Sequence, residues 1–157
     1  MAQATTNKIL VCVDTTEEAK AALRLACAHA HKRGMGVTML HVIPPQDVQT
    51  LFAITDRMRE ERRGEGHALL RTLADTARQY PGVTITPLLR EGKVGEEVIA
   101  STLEDHDITL VVLGVAPEAS KRGKLSGWLT ARLGDSLLVP IMLVPGNLTD
   151  QQIEELA

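Results

Sequence analysis

The sequence predicts a single α/β domain, a parallel sheet covered by helices on both faces. Two observations carry that prediction. Short apolar runs rich in branched residues alternate along the chain with amphipathic stretches of helical length, the pattern of strands joined by right-handed crossovers. The 157 residues, 44% hydrophobic and 24% charged, suffice for one compact core and are too few for two ordinary domains.

The first run, KILVCVD from Lys8 to Asp14, is continuously apolar, as a strand buried on both faces of a parallel sheet must be. TTEEAKAALRLACAHAHKRG follows, with Thr15 or Thr16 as N-cap, acidic residues in the first turn, and Ala19, Leu23, Cys27 and Ala30 on one stripe. Basic residues and Gly34 close it, which favours the negative end of the helix dipole and supplies the left-handed cap. GVTMLHVI is the second strand, stopped by Pro44 and Pro45. In the stretch from Gln46 to Tyr80, Leu69, Leu70, Leu73 and Ala77 mark a helix, while the preceding RMREERRGEGH reads first as a solvated charged face, with a lid or a partner surface as alternatives. VTITPLL is the third strand. A helix begins near Val94, where Val98, Ile99, Thr102 and Leu103 recur at helical spacing. ITLVVLG and IMLV are the fourth and fifth strands. In the tail NLTDQQIEELA, Thr149 precedes Gln152 at capping-box spacing and predicts a short terminal helix, so the division is 1–146 for the α/β domain and 147–157 for the tail.

Composition excludes several functions. The formal net charge is -3 and the chain holds one each of Phe, Tyr and Trp, so neither a phosphate-tracking surface nor a base-stacking platform is indicated, and nucleic acid is not an expected partner. No apolar run approaches the roughly 18 residues of a membrane span, and MAQATTNKIL lacks the pattern of a signal peptide, so a cytoplasmic chain without membrane insertion is the expectation. Cys12 and Cys27 sit in apolar surroundings and read as inert buried thiols. His29 and His31 point in different directions on their helix, and no cluster has metal-ligand spacing, so no metal is expected.

The segment from Leu113 to Pro140, LGVAPEASKRGKLSGWLTARLGDSLLVP, scatters glycines along a polar loop after an apolar strand, as a phosphate-binding loop does. Length decides which glycine opens the next helix. Only five residues separate Gly134 from Pro140, whereas a parallel crossover needs at least about 10. Starting at Gly127 leaves WLTARLGDSLLV, with Leu129, Leu133 and Leu137 on one face, so the helix opens at Ser126, Gly127 and Trp128.

Taken in order, KILVCVDTTEEAKAAL, VTMLHVI, GKVGEEVIASTLEDHDITLVVLG and VPIMLVP resemble the universal stress protein family of adenine-nucleotide-binding domains and their non-binding relatives. The resemblance implies a doubly wound, Rossmann-like or flavodoxin-like five-stranded parallel sheet of order 3-2-1-4-5, and a homodimer joined through the last strand, Ile141, Met142, Leu143 and Val144. It implies a crevice at the carboxyl ends of the first and fourth strands, with Asp14 near a ribose, the backbone of Val42 beside adenine, and Gly114 at the mouth. Nucleotide-binding members follow the fourth strand with Gly, two residues, Gly, nine residues, Gly, then Ser or Thr. Counted from Gly114, this chain has Pro117 at the second glycine, Gly127 at the third and Trp128 at the hydroxyl, with Ala116 and Ser126 beside them. Proline removes an N–H and an indole replaces a small hydroxyl. Losing two hydrogen bonds to a charged phosphate, at about 1.5–3 kcal/mol each, weakens binding by roughly two to four decades. Lys121, Arg122 and Lys124 in the same loop are either partial compensation or solvated charge.

Three readings follow. The first, preferred, is a non-catalytic regulatory or ligand-binding homodimer with weak or no ATP binding, no certain cofactor, and a regulatory protein partner met by surfaces such as the charged second helix. The second is a sensor that binds AMP or ATP through Asp14, Val42 and the basic loop. The third, a slow ATPase, lacks an evident base, nucleophile pair or carboxylate cluster, so no catalytic residue is assigned.

Overall fold

The computed structural model describes residues 7–45, 56–118 and 136–157. Over them, strands β1 (Lys8–Cys12), β2 (Gly36–Ile43), β3 (Ile85–Glu91), β4 (Ile108–Val115) and β5 (Ile141–Pro145) form one parallel sheet in the order β3-β2-β1-β4-β5. Four described helices accompany it: α1 (Glu17–Arg33), α2 (Asp56–Ala77), α3 (Val94–Glu104) and α4 (Asp150–Leu156). No helix among the described residues is long and apolar enough to cross a membrane. Because successive strand side chains point to opposite faces, each strand feeds two cores. Ile9, Val11, Val37 and Met39 pack with α1 and α2, while Leu10, Leu40, Val111 and Leu113 pack with Val98 of α3.

Thr16, not Thr15, caps α1: its Oγ1 accepts from the Ala19 N–H at 3.2 Å. Gly34 ends the helix in the left-handed region at φ 67°, its N–H bonded to Ala30 O. Burial extends well beyond the predicted stripe, to Ala21, Ala22, Leu25, Ala26 and Ala28. These small side chains let α1 sit between the sheet and a second layer, and that layer is the C-terminal tail. Ile153 of α4 is buried in the same core as α1, the Thr149 and Gln152 side chains complete the capping box, and Lys32 Nζ donates to Glu154 O at 2.7 Å. Arg24 and Asp150 pair across the same seam.

The charge run RMREERRGEGH is helical, continuous with the apolar half of α2, and mostly exposed. In α3 the buried residues are Gly95, Val98, Ser101 and Thr102, whereas Leu103, expected on the core stripe, is 55% exposed. Leu103 lies about 140° around the helix axis from Val98, outside the arc from Ser101 to Gly95 that the helix buries. The third strand runs two residues later than predicted. Val83 is held in a turn by Tyr80 O at 3.3 Å, and pairing with β2 begins only at Ile85 opposite Val37. Similarly, β1 stops at Cys12, opposite Leu40, two residues short of Asp14.

One contact positions the crevice at the top of the sheet. The first turn of α1 lies directly against the ends of β4 and β5. A Cβ on Gly114 would stand 2.2 Å from the Glu18 carbonyl oxygen and 2.9 Å from the Ala19 nitrogen, and one on Gly146 would stand 2.9 Å from Glu18 Cβ. The Gly146 N–H in turn donates to Val115 O at 3.0 Å, tying the two strand ends together. Gly114 is thus required by packing, whatever else it does.

Ion pairs fix both ends of α3. Arg90 of β3 meets Glu97 through Nε and grips Glu104 with Nη1 and Nη2 at 2.6 and 3.2 Å, while Lys8 holds Asp105 at 2.9 Å. The Arg90 guanidinium holds the Glu104 carboxyl below the usual carboxylate range, and the Lys8 ammonium does the same for Asp105.

Two outcomes follow from these contacts. Gly114→Ala is expected to lower stability by about 1–3 kcal/mol, because the obstruction is backbone and cannot rotate away; an unchanged urea midpoint would show that the clamp is slack. Carboxyls with depressed folded pKa values contribute stability that is complete above their unfolded values near pH 4 and disappears as pH falls through the folded ones. The acid decline in stability between about pH 4.5 and 2 is therefore expected to be shallower in the double variant Glu104→Gln, Asp105→Asn than in the parent, and equal slopes would refute the assignment.

Candidate functional site

A crevice of about 750 Å³ opens at the carboxyl ends of β1, β2 and β4, between the starts of α1 and α3. It lies where the strand order reverses, the usual ligand position in an open parallel sheet. Of the residues expected there from sequence, Asp14, Val42 and Gly114 line it together. Ala116 and Pro117 continue the chain beyond β4, Ala116 buried and Pro117 exposed, and neither is among the lining residues. Lys121, Arg122, Lys124, Ser126, Gly127 and Trp128 lie outside the described residues, as does the proposed helix start between Ser126 and Trp128.

Asp14 has two faces. Its Oδ1 accepts from the Thr16 N–H at 2.8 Å and from the Thr16 hydroxyl, and Thr16 in turn caps α1. The carboxylate therefore orients the capping residue instead of capping the helix itself. Its second oxygen, Oδ2, has no hydrogen bond among the described residues, and the side chain is exposed at the crevice. The structural role and a ligand role use different oxygens and do not compete.

Val42 contributes its peptide, since its side chain is buried against the α3 core. The reason is the end of a ladder. The Val13 N–H donates to Leu40 O at 2.8 Å, which is the last rung between β1 and β2. In a parallel pair both peptide groups of every second residue face the same neighbour. Val42, two residues past Leu40, therefore turns its N–H and C=O toward the side that β1 has vacated. The next rung would use the Val13 carbonyl, but that oxygen accepts from His41 Nδ1 at 2.8 Å instead. Among the described residues, the Val42 N–H and C=O are left unmatched at the wall of the crevice.

His41 was not expected in the site, although it lines it. The signal was its place in HVIPP, one step before a strand end marked by two prolines. Its hydrogen bond diverts the Val13 carbonyl and so exposes the Val42 peptide. Lys93, the N-cap of α3 without a side-chain cap bond, was likewise missed and also lines the crevice. Charge is divided along the cleft, with Asp14 and Glu18 at the α1 end and Lys93 at the β3 end. Cys12 forms part of the wall, and burial, assisted by the Asp14 charge, pushes its thiol up to about 12. Burial pushes Cys27 to about 12 as well, so both remain protonated at neutral pH, as inert thiols do. The open groups are hydrogen-bonding groups, Asp14 Oδ2 and the Val42 peptide, over an apolar floor of Leu40 and Leu113.

The model of the universal stress protein family matches residues 5–145. No curated protein matches the chain in sequence. Among solved structures, the universal stress protein UspA from Lactobacillus plantarum is 17% identical with a TM-score of 0.73, covering 90% of this chain and 99% of its own. The universal stress protein from Archaeoglobus fulgidus in complex with dAMP is 16% identical with a TM-score of 0.62, over 88% of this chain and 97% of that one. A universal stress protein family protein from Arabidopsis thaliana with AMP bound is 15% identical with a TM-score of 0.60, over 92% and 94%. At such identities the likeness is one of fold.

Proposed function

This chain belongs to the universal stress protein family, and on that premise we propose that it is a non-catalytic regulatory module whose crevice holds the nucleoside end of an adenine ligand and grips polyphosphate weakly. The observation that carries the reading is the unmatched Val42 peptide facing the crevice beside the open Asp14 Oδ2. A peptide N–H and C=O on one edge match the paired acceptor and donor of an adenine, and a carboxylate oxygen accepts from ribose hydroxyls. Two structural neighbours hold AMP and dAMP, which supports the choice of adenine. Weak polyphosphate binding follows from Pro117, which has no N–H to offer, and from Trp128 in place of a hydroxyl residue. A non-catalytic role fits the crevice, where Cys12 is protonated and Asp14 Oδ1 is engaged by the helix cap.

Calorimetric titration with adenosine, AMP and ATP tests this directly. Adenosine and AMP are expected to bind, ATP no more than about threefold tighter than AMP, and Asp14→Ala to weaken all three by about tenfold or more. Micromolar ATP binding that far exceeds adenosine and AMP would instead establish an ATP sensor with a working phosphate loop. ATP hydrolysis well above that of Asp14→Ala would establish an enzyme.

The module is further proposed to be a homodimer through β5, the open edge of the sheet, where Leu143 is exposed and Ile141 and Met142 are half-buried. Sedimentation equilibrium is expected to give twice the chain mass, with Leu143→Arg shifting it toward monomer. A wild-type monomer at tens of micromolar would end that proposal.

A further inference from the structure

The Val42 N–H stays open although a carbonyl suited to it is close at hand. On β2 the odd residues bond toward β3: the Val37 N–H donates to Thr84 O and the Gly92 N–H to Ile43 O, both at 2.9 Å. Even residues therefore bond toward β1, as Leu40 does when its carbonyl accepts from the Val13 N–H at 2.8 Å. In regular pairing the Val13 carbonyl would next accept from the Val42 N–H. Pairing with β3 continues as far as Ile43 opposite Glu91, so Val42 is held in the sheet even though β1 has ended. Its N–H is fixed in place and has no partner among the described residues.

His41 supplies the reason. Its side chain stands on the face of the sheet that packs against α1 and α2, the face of Val37 and Met39. Its Nδ1 lies 2.8 Å from the Val13 carbonyl oxygen. A carbonyl only accepts, so this bond assigns the proton to Nδ1, which donates. Ladder bonds run in the plane of the sheet, whereas this one leaves it, and the Val13 oxygen is turned away from β2. The ring is held there by α2. Gly66, one of the four buried residues of that helix, lies against it, since a Cβ on Gly66 would stand 3.4 Å from His41 Cδ2 and 2.7 Å from Leu89 Cδ1. Alanine is the better helix former, but glycine leaves Leu89 and the imidazole the room that a methyl group would take.

We infer that His41 is a positioning residue for ligand recognition: by drawing the Val13 carbonyl out of the ladder, it keeps the Val42 N–H available to an acceptor nitrogen of a heteroaromatic base. It governs one of the two hydrogen bonds that the proposed adenine reading uses, the one to the ring nitrogen N1. The other, from the 6-amino group to the Val42 carbonyl, does not depend on it, because the Val13 carbonyl cannot compete for a second carbonyl. His41 thereby sets a preference for a base with a bare ring nitrogen, and Gly66 ties that preference to the seating of α2. The identity of the base rests on the adenine reading, but the open amide is tested without any ligand.

Hydrogen exchange of backbone amides in the unliganded full chain is the first measurement. The Val42 N–H is expected to exchange about tenfold or more faster than the Leu40 N–H, which belongs to the β1 ladder, and to slow by about tenfold in His41→Phe, whose ring fills the same place without a donor. His41→Asn, with an amide nitrogen on the same side-chain carbon as Nδ1, is expected to restore the fast rate. A protected Val42 N–H in the parent, or equal rates in the parent and His41→Phe, overturns the inference whatever the chain binds. Calorimetric titration then uses adenosine, 1-deazaadenosine, which lacks the ring acceptor, and purine riboside, which lacks the amino group. The parent and His41→Asn are expected to prefer adenosine to 1-deazaadenosine by about tenfold and His41→Phe not at all, while the loss on removing the amino group is the same in all three. A preference kept in His41→Phe, or an equal weakening of all three ligands, makes the histidine merely structural and overturns the inference. A fast Val42 amide that slows in His41→Phe, with no adenosine bound by the parent, supports the positioning role while refuting the adenine reading. If His41→Phe loses its cooperative urea transition, His41→Leu takes its place with the same expectations, and the comparison of Val42 with Leu40 in the parent stands on its own.

Discussion

The close approach of one helical turn to two strand ends governs this structure. Glu18 and Ala19 lie against Gly114 and Gly146 with no room for a Cβ between them. That contact brings the start of α1 down onto the sheet at the point where its order reverses. Thr16 then has a fixed place from which to cap α1, and Asp14 a fixed place from which to hold Thr16. The carboxylate that faces the crevice is therefore held by the same few residues that seat the helix. Packing and site geometry share one origin.

What the crevice offers a ligand arises from strands of unequal length. β2 continues to Ile43 while β1 ends opposite Leu40, and an interior strand that outruns its neighbour leaves peptide groups without partners. Water or ligand must satisfy them. His41 completes the arrangement by taking the Val13 carbonyl, which would otherwise have matched the Val42 N–H. Recognition here is thus mostly a property of backbone, and it tolerates wide variation in side chains.

Legibility of the sequence varied with the range of the interactions. Gly36–Ile43 and Val94–Glu104 were readable nearly to the residue, because Pro44 and the spacing of Val94 and Val98 are local signals. The stripe on α1 was readable but too narrow, since nothing local says that α4 covers its outer side through Ile153. Leu103 was placed on the wrong face because the arc of α3 that is buried is chosen by packing on the sheet, and β3 was placed two residues early because its bounds are set by pairing with β2. In the site, Asp14 and Val42 were named from family resemblance, whereas His41 and Lys93 carried no motif and emerged only from their neighbours.

By itself the sequence determined the alternation of elements, the burial of the strands, a cap at Thr15 or Thr16, and the caps at Gly34 and Thr149, because each depends on periodicity or on hydrogen bonds within a few residues. It also determined that Pro117 offers no amide, a property of the residue alone. The tertiary structure decided that Gly114 is a packing glycine, that the β1 ladder stops at Leu40, and that Ile153 of α4 is buried against α1. Each of these depends on the distance between segments far apart along the chain, and no local pattern encodes such a distance.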